Sequence, residues 1–97
     1  MAYDPGAIDA TLAAAVGDDP VLIAELREAF LDGVQRCHEA LKTAHGTDDW
    51  TSAALRLKGL AASFGAVRLM ALASEAAVGQ AGDAATIRKI GRAIDRL

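Results

Sequence analysis

The chain has 97 residues, a length that supports one domain, residues 1–97, around one core. It is 53 % apolar but only 4 % aromatic and rich in alanine, which favours close-packed helices over a sheet. A formal net charge of -3 with no run of basic residues argues against nucleic acid or a membrane surface as partner, and no apolar stretch reaches the ~18 residues of a membrane span.

Helix punctuation recurs along the chain. Asp4-Pro5 offers an N-cap followed by proline at the first helical position, and Asp19-Pro20 repeats the signal. Gly46-Thr47 reads as the end of one helix and the cap of the next, with Asp48 and Asp49 in the favourable first turn. Gly65 and Gly82 are further stops, and Asp83 can cap the last helix. These signals predict helices at about 5–16, 20–45, 48–64, 67–80 and 84–96. Connections of two to four residues require consecutive helices to lie antiparallel.

Core stripes follow from the spacing of apolar residues. The second helix carries Leu22, Leu26, Phe30, Val34, Cys37 and Leu41. The third carries Trp50, Ala53, Ala54, Leu57, Leu60, Ala61 and Phe64. The fourth carries Leu69, Leu72, Ala73 and Ala76, and the fifth Ile87, Ile90, Ile94 and Leu97. The expected fold is an all-α, up-down antiparallel four-helix bundle with a short N-terminal helix covering one end.

One leucine does not fit its stripe. At about 100° per residue, Leu55 lies about 160° from Leu57 on the third helix, near the pole opposite the core. Thr51, Gly59, Ala62 and Ala66 share that pole, with Arg56 and Lys58 on its flanks. Glycine in a helix interior costs roughly 0.5–1 kcal/mol relative to alanine, which points to close approach of another body at Gly59.

At Ala54-Leu55-Arg56-Leu57-Lys58-Gly59, followed by small residues and Gly65-Ala66, the sequence resembles the histidine-containing phosphotransfer domains of phosphorelays. Their signature is roughly Ala-His-x-Leu-Lys-Gly. Gly17-Asp18-Asp19-Pro20 with Leu22, Leu26 and Phe30 looks like the family's entry to its second helix, and Asp49-Trp50 matches a frequent Asp-Trp. The resemblance covers essentially the whole chain. It implies docking to a response-regulator receiver domain or a histidine kinase through Thr51, Leu55, Arg56, Lys58, Gly59 and Ala62. Family members accept a phosphoryl group on the histidine at the position of Leu55. Leucine has no lone pair with which to form the N–P bond, so the resemblance is to a pseudo-phosphotransfer form without a phosphoacceptor.

The resemblance and the composition together lead to an expected monomeric, non-enzymatic binding module that needs no cofactor or metal. The single Cys37 cannot close an internal disulfide and Met1 to Pro5 lack signal-peptide character, so a cytoplasmic setting is expected. Cys37, His38 and His45 are too few for a closed zinc site. Two alternatives stay open: an active phosphocarrier that uses His38, at the edge of the second helix's core stripe, and a helical interaction domain outside two-component signalling.

Overall fold

The computed structural model describes residues 5–17 and 19–97. Five helices follow one another: α1 (Pro5–Val16), α2 (Pro20–Lys42), α3 (Thr47–Ser63), α4 (Val67–Val78) and α5 (Ala84–Asp95). The Asp4 cap expected from the sequence lies outside the described residues. Each helix packs against the next, and α2 also packs against α5, so α2, α3, α4 and α5 close a four-helix ring with α1 laid against α2. The molecule measures 42 × 25 × 18 Å, its long axis set by the 23-residue α2, which spans about 34 Å at 1.5 Å per residue.

The helix starts follow their sequence signals. Asp19 caps α2, its Oδ1 accepting from the N–H groups of Val21 at 3.1 Å and Leu22 at 3.2 Å, with Pro20 where a missing N–H costs nothing. Asp83 occupies the N-cap position of α5, and its Oδ2 accepts the Thr86 hydroxyl at 2.7 Å. That bond holds the Asp83 carboxyl below its ordinary pKa, with the first backbone N–H groups of α5 acting in the same direction.

Helix ends depart more from expectation. The second helix stops at Lys42 rather than 45: the Thr43 hydroxyl donates back to the Glu39 carbonyl at 3.0 Å, and the Asp49 carboxylate draws the His45 N–H out of the helical ladder at 3.2 Å. Thr47 is helical rather than a cap. Gly46, at φ 117°, takes the N-cap position and its carbonyl accepts the Trp50 N–H at 3.1 Å. The fourth helix ends at Val78 with Gly79 as its C-cap, ahead of Gly82, which at φ 80° belongs to the following turn. At the end of α3 the Ala66 N–H reaches the Ala61 carbonyl at 2.9 Å and the Gly65 N–H the Ala62 carbonyl at 3.3 Å, a Schellman motif that needs Gly65 at φ 72°.

The core is made from the expected stripes. Phe30, Val34, Cys37 and Leu41 of α2, Trp50, Ala53, Ala54, Leu57 and Ala61 of α3, and Leu69, Leu72, Ala73 and Ala76 of α4 are buried. Ile90 and Ile94 are buried on α5, while Leu26, Leu60, Phe64, Ile87 and Leu97 are half-buried at the margins. Phe30 and Phe64 stack with ring centroids 4.6 Å apart and join α2 to the end of α3. Leu22, expected in the core, is exposed. It lies in the first turn of α2, and helical side chains lean toward the N-terminus, which aims it past the end of the bundle.

Trp50 fixes the α3–α4 pair. Its indole is buried and Nε1 donates at 2.8 Å to the carbonyl of Ala76, in the last turn of α4, where carbonyls have no intrahelical donor. The Gly79 N–H shares that carbonyl at 3.1 Å. Replacing Trp50 by Phe keeps a ring in place but removes the donor. Urea unfolding of Trp50→Phe is expected to show a loss of about 1–2 kcal/mol, with Tm lower by about 4–8 °C for each kcal/mol.

Burial also pushes the Cys37 thiol above its ordinary pKa of 9.0, with the Arg56 charge opposing in part. The folded protein therefore holds this proton more tightly than the unfolded chain does. The contribution is complete below the unfolded pKa and is lost as pH rises through the folded one. Stability measured against pH is expected to fall above about pH 9 more steeply for the unmodified protein than for Cys37→Ala.

Candidate functional site: the outer face of α3

α3 buries one side and leaves the other free. Leu57 is fully buried, whereas Leu55, two residues earlier, is 52 % exposed. Arg56, Lys58, Gly59 and Ala62 are exposed and Thr51 is half-buried, so the residues singled out from the sequence form one outward surface. Ala66, placed on the same pole by extrapolating the helix, is instead fully buried. The helix ends at Ser63 and the left-handed Gly65 turns the chain inward, so the 100° count does not extend to residue 66.

Gly59 decides between packing and access. A Cβ built at this position meets nothing within 4 Å. Two other helical glycines differ: at Gly33 it would lie 3.2 Å from Leu60 Cδ1, and at Gly91 3.1 Å from His38 Cε1. Those two serve contacts inside the fold, and Gly59 serves none. Its carbonyl also accepts the Ser63 hydroxyl at 2.9 Å.

The flanking cations occupy different surroundings. Arg56 lines a cleft of about 330 Å³ at the α2–α3 connection, together with His45, Asp49 and Ser52, and its charge reaches the buried Cys37. Lys58 has no ion-pair partner among the described residues. The surface is thus one half-exposed leucine over a glycine-and-alanine floor, with a cation on each side. It can receive an apolar knob ringed by carboxylates.

His38 lies elsewhere. Its Nε2 is 3.0 Å from the Ile87 carbonyl, and its ring packs over Gly91, which places it in the α2–α5 seam. His45 is exposed. Among the described residues no three His, Cys, Asp or Glu side chains come together as a metal site. No helix of the described residues is long and apolar enough to cross a membrane.

A second charged surface escaped the sequence reading. Arg88, Lys89, Arg92 and Arg96 are all exposed on and just beyond α5. They never form a continuous run. At about 100° per residue they fall within about 100° of one another, opposite Ile90 and Ile94, and that spacing is the signal that finds them.

No protein-family model, no curated protein and no solved structure matches the chain.

The open position at Gly59 carries a stability consequence. Gly59→Ala adds a methyl group that touches nothing and removes backbone freedom from the unfolded chain. It is expected to stabilise the protein by about 0.5–1 kcal/mol in urea unfolding, with the helical circular dichroism signal unchanged.

Proposed function

We propose that this chain is a pseudo-phosphotransfer signalling module, which binds a receiver domain or a histidine kinase through the outer face of α3 and carries no phosphate. The observation that supports it is the pairing of a 52 % exposed Leu55 with a Gly59 that no contact within the fold requires. These two residues, with Lys58, stand in the register at which the sequence resembles the phosphotransfer motif. A receiver offers an acidic phosphorylation pocket with apolar residues around it. Lys58 and Arg56 meet the charge and set orientation and on-rate, while Leu55 contributes affinity by completing its burial. Such a module competes with a true phosphotransfer domain or holds its partner in one state. Its setting in this reading is the cytoplasm.

The alternative phosphocarrier reading through His38 gains no support. Nε2 is engaged with the Ile87 carbonyl and the ring is held against Gly91, within a seam between helices.

Binding to candidate receivers and kinases, followed by calorimetry, tests the proposal. About half of the Leu55 side chain remains to be covered, worth about 1 kcal/mol, so Leu55→Ala is expected to weaken binding about fivefold or more. Its effect on folding stability is expected to stay below about 1 kcal/mol. Gly59→Leu is expected to block docking by filling the open floor. Unchanged binding by both variants places the interface elsewhere. Leu55→His is expected to accept phosphate from a phosphorylated receiver that binds the unmodified protein, whereas the unmodified protein accepts none. Adding Lys58→Ala to Leu55→His is expected to slow the transfer.

A further inference from the structure

The charges of this chain are segregated along its length. Residues 1–50 hold three Lys and Arg against ten Asp and Glu, and residues 51–97 hold seven against three. The first half forms α1, α2 and the start of α3; the second completes the bundle. A chain of net charge -3 therefore has an acidic side, on which Glu25, Glu28, Asp32 and Glu39 of α2 are exposed, and a basic side on α5. On α2 the few cations are already used: Arg36 pairs with Asp32, and Lys42 with Glu39 at 3.2 Å. Arg88, Lys89, Arg92 and Arg96 have no ion-pair partner among the described residues.

We propose that the basic face of α5, formed by Arg88, Lys89, Arg92 and Arg96, docks the protein onto an anionic phospholipid surface. The proposal goes beyond the partner reading of α3 and does not depend on it. Three observations favour this occupant. First, the four cations share one arc of one helix, with the exposed Asp95 at its edge about 20° from Arg88, so a plane touches all four together and meets a net positive charge. Second, α4, which packs against α5, carries Val67 at 66 % and Val78 at 89 % exposure. Exposed valines on the helix next to the basic arc suit the headgroup boundary of a bilayer. Third, Phe30 and Trp50 are buried and Phe64 is half-buried, and α5 bears no Asn or Gln. The face thus offers no aromatic platform for stacked bases and no Asn or Gln to read adenine.

The overall negative charge does not forbid this. Membrane attraction fades within a Debye length, about 8 Å at physiological salt. α2 packs directly against α5, but its exposed carboxylates at Glu25, Glu28, Asp32 and Glu39 fall within about 60° of one another on the pole opposite its core stripe, so they point away from the helix axis of α5 while the α5 cations touch the surface. The contact is peripheral, because Ile90 and Ile94 stay in the core and the helix presents only its charged arc. The expectation of no membrane partner rested on the absence of a basic run, and the arc on α5 takes the place of one.

Vesicle flotation tests the proposal with two probes, pure phosphatidylcholine vesicles and phosphatidylcholine mixed with phosphatidylglycerol. At low salt the protein is expected to float with the mixed vesicles alone, and to be released as salt rises past about 0.15 M. The double variant Arg92→Glu, Arg96→Glu is expected to bind about tenfold more weakly or worse. Lys89→Gln with Arg92→Gln, which keeps side-chain length, is expected to weaken binding to a lesser degree and guards against misfolding of the first variant. Arg36→Glu on α2 is expected to leave binding unchanged. Equal binding to both vesicle types, full binding by the α5 variants, or an unmodified protein that stays unbound overturns the proposal. Capture by duplex DNA in place of vesicles overturns it as well, and makes nucleic acid the occupant.

Discussion

The hydrogen bond from the Trp50 indole to the Ala76 carbonyl sets the geometry on which the rest of the bundle depends. It ties the first turn of α3 to the last turn of α4 and so fixes their antiparallel register. Alanines at 54, 61, 73 and 76 are buried in the same two helices, which bring little side-chain volume between them. With α3 rotated so that Trp50, Leu57 and Ala61 face the core, Leu55 and Gly59 fall on the outer side of the helix. The exposed leucine is thus a geometric consequence of the buried tryptophan five residues earlier.

Much of this was legible in the sequence because it rests on local rules. Asp19-Pro20 announced α2 through a cap and a fixed φ, both properties of two adjacent residues. The apolar spacing found the buried residues of α2, α3 and α4 and Ile90 and Ile94 of α5, since a helix keeps its own period wherever it packs, but it did not assign Ile8 and Leu12 of α1 or Ala93 of α5. Leu55 and Gly59 could be assigned to the outer pole by counting turns alone. The misses occurred where local counting stops. Counting turns to Ala66 runs past the end of its helix, where the left-handed Gly65 and the Ala66 N–H bond to Ala61 have already turned the chain. The end of α2 was set by the Asp49 carboxylate, a group from the following helix. The basic arc on α5 forms no run in the sequence, because helical charge gathers at intervals of three and four.

The two candidate surfaces are separated by the bundle itself. α3 and α5 are not neighbours in the ring, since each packs against α2 and α4. A partner seated over Leu55 and a charged surface beneath Arg92 therefore occupy different helices of one small scaffold. The α2–α5 seam between acidic and basic sides holds His38 against the Ile87 carbonyl and Arg27 against the Leu97 backbone oxygen, the latter at 3.2 Å. Each of these bonds comes from α2, so the longest helix supplies the frame for the last element of the chain.

That ring closure bears on how the protein folds. Every helix pairing but one joins consecutive elements, and the exception is α2 with α5. Chains dominated by such near-sequence contacts fold in microseconds to milliseconds, because little loop entropy is lost before contacts form. The α2–α3–α4 portion can assemble by successive hairpin closures, with α5 docking onto it afterwards. Bonds in the α2–α5 seam then belong to the late part of the reaction. With α5 docking last, weakening His38 or Arg27 would chiefly hasten unfolding and leave the folding rate nearly intact, because contacts absent from the transition state act on the unfolding rate.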